Sequence, residues 1–277
     1  MFSIIIPTYN RSNLLSKCLQ CLDPGIQTIG RNYEVVVTDD SNNEETKKLI
    51  QNSFSWVNWV AGPRNGPAAN RNSGAKQAKA DWLIFVDDDC LPDKNLLKNY
   101  QHALEQEPDM LVFEGCIKAD RAQRSFAEES PVNETGGYLW ACNFMINRNV
   151  FLDTLQGFDE KFPFAAMEDV ELNYRITQLK FKKRFVKEAF VIHPWRIQTR
   201  MWQITLNRFQ STLYFLKKHP GKKSEINSKY YLVAFYNSLI KNTLKNALKF
   251  RFRGFADKIL YDILQLYFSV YILIFRY

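Results

Sequence analysis

The sequence predicts an open α/β sheet flanked by helices and continued by an all-helical segment. Three observations lead there. Through residues 1–195, short apolar runs of strand length alternate with stretches of helical periodicity. Polar or acidic turns follow three of these runs directly: Pro7-Thr8-Tyr9-Asn10-Arg11, Asp39-Asp40-Ser41 and Asp87-Asp88-Asp89. From Ile197 onward only helical periodicity remains, and the charge changes with it. Residues 1–195 carry 22 Lys/Arg against 26 Asp/Glu, net −4, whereas residues 196–277 carry 15 against 3, net +12. The chain is therefore expected to divide into a sheet domain, 1–195, and a basic, aromatic-rich helical extension, 196–277.

Phe2 to Pro7 is a continuous apolar run, as expected of a strand covered on both faces of a parallel sheet. Asn10-Arg11-Ser12 can cap a helix from Asn13 to Leu22, in which Leu14, Leu15, Cys18, Leu19 and Leu22 form one stripe, and Pro24-Gly25 ends it. Tyr33 to Thr38 is the second strand, with a helix near Glu44 to Ile50, and Val57 to Ala61 is the third. Asn72 to Ala80 reads as a helix, Trp82 to Val86 as the fourth strand and Met110 to Ile117 as the fifth. Strand, crossover and strand at these spacings imply right-handed βαβ units. Residues 121–138 are polar, contain Pro131 and Gly136-Gly137, and read as a mobile loop. Glu168 to Leu179 is a helix and Phe185 to Ile192 a strand. Helices are then expected over 197–218, 226–249 and 257–275, with a break at Pro220-Gly221.

An apolar fraction of 46% and a charged fraction of 24% exclude disorder, collagen-like repeats and a coiled coil. The overall charge of +8 belongs to the tail, so no nucleic-acid partner is expected. Five scattered cysteines, Cys18, Cys21, Cys90, Cys116 and Cys142, favour reduced thiols and a cytoplasmic protein. Cys18 and Cys21 have no second pair to complete a zinc site. Phe2-Ser3-Ile4-Ile5-Ile6 reads as a first strand, not as a signal peptide.

In an open α/β sheet, ligands sit outside the carboxyl ends of the strands, which is where the three polar turns stand. No Gly-x-Gly-x-x-Gly and no Walker loop occurs, so dinucleotide and P-loop chemistry is disfavoured. Three consecutive carboxylates after Trp82-Leu83-Ile84-Phe85-Val86 repel one another unless a cation neutralises them. A hard divalent ion, Mg²⁺ or Mn²⁺, is the natural partner, and such ions commonly bridge carboxylates to substrate phosphates. The alternative is a solvated turn ahead of Pro92.

Six segments in order carry a resemblance to the family 2 glycosyltransferases of the GT-A fold. They are Ile4-Ile5-Ile6-Pro7-Thr8-Tyr9-Asn10-Arg11, Val37-Thr38-Asp39-Asp40-Ser41, Asn70-Arg71-Asn72-Ser73-Gly74, Phe85-Val86-Asp87-Asp88-Asp89, Gly157-Phe158-Asp159-Glu160 and Glu168-Asp169-Val170-Glu171-Leu172. The resemblance implies a Rossmann-like open mixed sheet and an inverting transfer from a nucleotide-sugar donor to a hydroxyl acceptor. It implies that Pro7, Thr8, Tyr9, Asn10 and Arg11 hold the nucleobase, that Asp40 binds a uracil-type ring, and that Arg71 meets the pyrophosphate. It implies that Asp87 and Asp88 lie on the sugar and ribose side, that Asp89, with Asp87 and His193, holds Mn²⁺ or Mg²⁺, and that Asp169 is the catalytic base with Glu168 beside it. Read without the resemblance, Asp40 can cap the next helix, Arg71 can be a surface arginine, and His193 can be a structural imidazole. Glu168 and Glu171 can be a charged helix face, and Trp140 can stack on a sugar or fill a core. Gln198-Thr199-Arg200-Met201-Trp202 holds the residues of the polymerising members' Gln-x-x-Arg-Trp element at the wrong spacing, which argues for single-sugar addition. The competing classes are a nucleotidyltransferase on a similar fold and a non-catalytic nucleotide-sugar-binding subunit.

The tail admits two readings. Asp262, Gln265 and Ser269 fall on one helical face and leave Ile259, Leu260, Ile263, Leu264, Phe268, Tyr271, Leu273 and Ile274 as a wide apolar one. The stretch Ile259–Phe275, interrupted by Asp262, is shorter than a spanning helix needs. That face either packs on the other helices or in a homodimer, or meets an anionic membrane surface, drawn there by Lys245, Lys249, Arg251, Arg253 and Lys258. The second reading suits a peripheral protein on the inner face of the membrane that serves a saccharide or lipid-linked acceptor in cell-surface polysaccharide or glycolipid assembly.

Overall fold

The computed structural model describes residues 1–29 and 32–275, so the last two residues of the basic segment lie outside the described residues. The chain forms two compact units. One holds Met1–Asp120, Pro131–Glu160 and Glu168–Pro194; the other holds Arg121–Ser130, Lys161–Met167 and Trp195–Tyr277.

In the first unit, strands β1 (Phe2–Thr8), β2 (Tyr33–Asp39), β3 (Asn58–Ala61) and β4 (Trp82–Val86) are joined by helices α1 (Ser12–Cys21), α2 (Glu45–Ser53) and α3 (Gly66–Gln77). They are followed by β5 (Leu91–Pro92), α4 (Leu96–Gln106) and β6 (Val112–Ala119). Strand β7 (Glu128–Glu129) belongs to the second unit, and β8 (Asn143–Asn147), α5 (Glu168–Gln178) and β9 (Lys183–His193) complete the first. The sheet order is β3-β2-β1-β4-β8-β6-β9-β5. The first four strands are parallel, β8 runs antiparallel to both β4 and β6, and β9 is parallel to β6. The sheet is thus open and mixed, as expected.

Strand β8 and helix α4 are additions to the expected elements. An antiparallel strand needs only five residues here, Asn143 to Asn147, and Phe144-Met145-Ile146 is too short a run to declare a strand by periodicity. Its position matters, because β8 lies beside β4 and fixes the strand that Asp87 directly follows.

All seven residues of β1 are buried, and Ile4, Ile5 and Ile6 have no exposed surface. Each such side chain contributes about 1.5–3 kcal/mol of burial. Pro7 is tolerated because the pairing of β1 with β4 ends at Ile5↔Phe85, so its missing N–H stands past the ladder. Helix α3 begins at Gly66-Pro67, earlier than the pattern indicates, so Asn70 and Arg71 lie within it. Gly74 lets it approach the sheet, since a Cβ there would lie 2.6 Å from Ile5 Cγ2.

The segment 121–138 is pinned by polar contacts, where a mobile loop was expected. Its first part, in the second unit, is held by an ion pair of Arg121 with Glu128 at 2.7 Å and by pairing of β7 with β10 (Arg196–Ile197). Its later part, in the first unit, is held by the buried Glu114. That carboxylate accepts hydrogen bonds from Asn133 Nδ2 at 2.6 Å, Gly137 N at 2.8 Å and Tyr138 N at 3.0 Å. A buried carboxylate needs such donors, and the turn supplies them.

In the second unit, α6 (Met201–Lys218) is followed by a 3₁₀ turn at Pro220–Ser224, where the break was expected. Helix α7 (Ser228–Tyr236) starts at Asn227, whose side chain accepts from Tyr230 N, and runs into a π-helical stretch, Asn237–Leu244. The expected continuous helix over 226–249 is therefore interrupted. Helix α8 covers Phe255–Phe275 and packs on α6 and α7. Phe209 and Phe268 stack with centroids 3.9 Å apart, and Tyr231 meets both edge-on. The 21 residues of α8 exceed the expected apolar stretch and are long and apolar enough to cross a membrane by length and composition. Its polarity is the reverse of the packing reading: Lys258, Asp262, Gln265 and Ser269 are buried with Phe268 and Ile272.

Candidate active site

The segment Asn70 to Gly74 shows how one turn of α3 organises the site. Asn70 Nδ2 donates to the carbonyls of Thr8 at 3.3 Å and Thr38 at 2.9 Å, tying the ends of β1 and β2 together. Asn72 donates to Phe158 O at 2.9 Å and Glu160 Oε1 at 2.8 Å and accepts from Phe158 N at 2.8 Å. That contact requires Gly157, which has φ +74° and whose Cβ would lie 2.4 Å from Asn72 Oδ1. Between them, buried Arg71 pairs with Asp87 at 2.7 Å and with Glu168 at 3.4 Å. It is not a surface arginine. Burial works to lower its pKa, but Asp87, Glu168 and Asp169 outweigh burial and raise it.

The three aspartates after β4 take separate partners. Asp87 meets Arg71. Asp88 is buried, accepts from Thr8 Oγ1 at 2.8 Å and pairs with the half-exposed Arg11 at 3.2 Å. Burial pushes its pKa up to about 6, with Asp89 adding to the rise and Arg11 and Thr8 opposing it. Asp89 is buried between Arg11 at 3.3 Å and His193 Nε2 at 3.3 Å. The solvated-turn reading fails on the burial of Asp88 and Asp89.

Asp89, Cys90 and His193 bring potential metal-binding atoms within 4.8 Å of one another. Carboxylate and imidazole suit Mn²⁺ or Mg²⁺. Burial pushes the Cys90 thiol up, and sulfur is a soft ligand that suits a hard ion poorly. The residues fit such a cation. Cys90 is the member that sequence reasoning missed, although its place directly after Asp89 was a signal.

Helix α5 begins at Glu168, where the N-terminal dipole favours negative charge. Glu168 is buried and Asp169 half-buried, its Oδ1 accepting from Val170 N at 2.7 Å. Burial raises both carboxyls; the Asp169 charge pushes Glu168 further while Arg71 pulls it back. Glu171 is wholly buried and takes Arg175 in a two-pronged bond at 2.8 and 3.0 Å. Arg175 also donates to the carbonyls of Leu155 and Gly157, so this pair braces the 155–157 turn. Neither glutamate is part of a solvated face, and the i, i+4 spacing of Glu171 and Arg175 was the readable signal.

At the β1 turn, Pro7 is buried, Tyr9 exposed, and Asn10 adopts φ 52°, with its N–H on Ser41 Oγ at 2.7 Å. Asp40 is buried and accepts from Arg64 N at 2.9 Å, and it does not cap α2. Burial raises its carboxyl, against the N–H groups of Arg64 and Gly66. Trp140 is half-buried against the core and stacks on Tyr138 at 4.8 Å. All thirteen residues expected from the sequence fall in the first unit: Pro7 to Arg11, Asp40, Arg71, Asp87 to Asp89, Glu168, Asp169 and His193.

The family model for Glycosyl transferase family 2 matches residues 3–202. The chain belongs to that family. A relative in Haemophilus influenzae, named an uncharacterized glycosyltransferase, is 36% identical over 129 residues, 46% of this chain and 42% of the relative. The poly(ribitol-phosphate) beta-glucosyltransferase of Bacillus spizizenii is 34% identical over 117 residues, 40% of this chain and 18% of that protein. The chain thus spans less than half the length of either. The crystallised mannosyltransferase of Pyrobaculum calidifontis, in complex with GDP-Man and Mn²⁺, superposes with a TM-score of 0.63 at 17% identity, over 97% of this chain and 86% of that one. This likeness establishes the GT-A fold for the family 2 chain.

Proposed function

We propose that this chain is an inverting, metal-dependent glycosyltransferase. It moves one sugar from a nucleotide-sugar donor, a UDP-sugar by preference, to a hydroxyl of a saccharide or lipid-linked acceptor in polysaccharide or glycolipid assembly. The observation that carries the reading is Arg71. Its guanidinium joins the carboxylate after β4, Asp87, to the carboxylate that opens α5, Glu168, which lie 16 and 97 positions from Arg71 in sequence. Donor-side and acceptor-side groups thereby converge on one cation. The Mn²⁺ in the Pyrobaculum complex and the named sugar transferases among the relatives support the same reading.

Asp89 and His193, with Asp87 as a third group, would hold the divalent cation, which when bound neutralises charge on the departing diphosphate. Arg71 places a fixed positive charge beside the same phosphates. Asp40 and the Pro7–Arg11 turn hold the nucleobase, and Asp88 faces the ribose. Asp169 accepts the acceptor's hydroxyl proton as that oxygen attacks the anomeric carbon opposite the leaving group. The new C–O bond forms as the sugar–phosphate bond breaks, the nucleoside diphosphate departs, and the configuration inverts. Five free thiols among the described residues accord with a cytoplasmic compartment.

Donor turnover by the purified protein tests the class. Nucleoside diphosphate released faster from UDP-sugars than from GDP-sugars is expected; pyrophosphate released instead from a nucleoside triphosphate supplied with a sugar 1-phosphate would assign a nucleotidyltransferase, and no release with any acceptor a binding subunit. Asp89→Ala should abolish Mn²⁺-dependent donor binding in calorimetry while the melting curve is kept. Unchanged Mn²⁺ dependence would remove Asp89 from the site.

A further inference from the structure

Helix α8 is built inside out. From Lys258 to Phe275 its buried polar side chains are Lys258, Asp262, Gln265 and Ser269, and every exposed side chain is Leu, Ile, Val, Phe or Tyr. The inward polar groups are satisfied within the second unit. Asp262 accepts from Ser238 Oγ at 2.6 Å, Thr243 Oγ1 at 2.7 Å and Lys258 Nζ at 2.8 Å, and Ser269 Oγ donates to Ser228 O at 2.8 Å. The outward row Leu260, Ile263, Leu266, Val270, Leu273 and Ile274 repeats at three- and four-residue steps, so it is one continuous face. Leu273 and Ile274 are 68% and 64% exposed. A helix in water gains by the opposite arrangement; this one gains where the medium outside is apolar.

The charge around this face names the medium. Between Asn227 and Gly254 the exposed charged residues are Lys229, Lys241, Lys245, Lys249, Arg251 and Arg253, with no exposed acid among them. Exposed Tyr236, Phe252 and Tyr267 supply the amphipathic and aromatic groups that settle at headgroup level. A second copy seated on the face would bring two basic segments together, a cost that an anionic surface turns into attraction. The opposite side of α8 is sealed on α6 and α7, so the helix presents one side only, the geometry of an in-plane element and not of a lone span.

We infer that the second unit docks on an anionic lipid bilayer, with the outward face of α8 in the headgroup–acyl boundary and the lysines and arginines of 229–253 on the phosphates. The docking is independent of sugar transfer and is read without donor or acceptor.

The test uses the full chain and vesicles of phosphatidylglycerol with phosphatidylcholine, against phosphatidylcholine alone, at low salt. The protein should sediment with the anionic vesicles. Ile263→Glu/Val270→Glu, at two exposed positions, should bind about tenfold more weakly or worse with an unchanged melting curve. Lys245→Gln/Lys249→Gln should lose about fivefold per lysine at low salt and little at high salt. A dye on Leu266→Cys should shift to the blue on anionic vesicles, a readout that stands even where the glutamate variant fails to fold. Protein left in the supernatant, a folded glutamate variant that binds like the parent, or an unshifted dye would overturn the inference. So would a lipid-free dimer in sedimentation velocity that Ile263→Glu/Val270→Glu makes monomeric, because a second copy then covers the face.

Discussion

Asp262 in the C-terminal unit and Glu168 in the sheet unit are both buried carboxylates beside a basic side chain, yet they are treated in opposite ways. Both oxygens of Asp262 are occupied, by Ser238, Thr243 and Lys258. Glu168 receives Arg71 on Oε1 at 3.4 Å, and its Oε2, like Arg71 Nε, has no hydrogen-bond partner among the described residues. A buried polar atom without a partner costs about 1–3 kcal/mol, which a fold sustains where a ligand supplies the partner. The difference teaches how to sort buried charge in this molecule: the completed network holds a structure, and the incomplete one waits for chemistry. Glu171 with Arg175 falls on the completed side, although it is only three residues from Glu168.

The largest effect expected from this division is on catalysis. Asp169→Asn keeps the volume of the side chain and removes the proton acceptor, so kcat should fall by about two to four orders of magnitude with donor affinity nearly unchanged. Steady-state kinetics with calorimetric donor binding measures both. Retained turnover would pass the role to Glu168. Asp262→Ala should do the reverse. It strips a buried ammonium of its counter-charge and should cost about 3–5 kcal/mol of stability, while donor binding to the remaining folded protein is unaltered. Denaturant melts read this, and an unchanged midpoint would break the comparison from the structural side.

A smaller effect is expected at Gly157. Gly157→Ala introduces a side chain at φ +74° and 2.4 Å from Asn72 Oδ1. It should lower stability by about 1–3 kcal/mol and weaken activity through the displaced 157–160 turn. The smallest is a pH effect. Burial raises both Glu168 and Asp169, and a raised carboxyl is protonated, hence no base, below its folded pKa. Activity should therefore rise with pH through a limb lying above the ordinary carboxylate range. Glu168→Gln removes the second titrating carboxyl, so the limb left in that variant should belong to Asp169 alone and still lie above the ordinary carboxylate range, raised by burial. A limb at pH 4 in the parent protein would contradict the burial that separates these carboxylates from solvent-exposed ones.

How much was legible beforehand differs from residue to residue. The run Ile4-Ile5-Ile6 and the aspartates after Val86 announce a strand end and a charged crevice, because a parallel sheet needs both-face burial and leaves ligands only its carboxyl edge. The partners of those aspartates were not legible. Whether Asp88 meets Thr8 or water, and whether Arg71 reaches Glu168, depends on contacts 80 and 97 residues apart in the chain. The pinned segment 121–138 was misread because its polarity suggests solvent, whereas its donors serve the buried Glu114.

The sequence by itself determined the class of the fold, the order of its parallel strands' segments, the family and the cluster of acidic turns, since each follows from local periodicity and from residue types that few other arrangements tolerate. Only the tertiary structure decided the antiparallel insertion of β8, the joining of Asp87 to Glu168 through Arg71, the approach of Cys90 to Asp89 and His193, and the direction in which α8 faces. The physical reason is the same in each case. Periodicity states that an element has two faces and a charge has a cost, but which face turns inward, and which distant group offsets the charge, is settled by the whole set of packed neighbours at once.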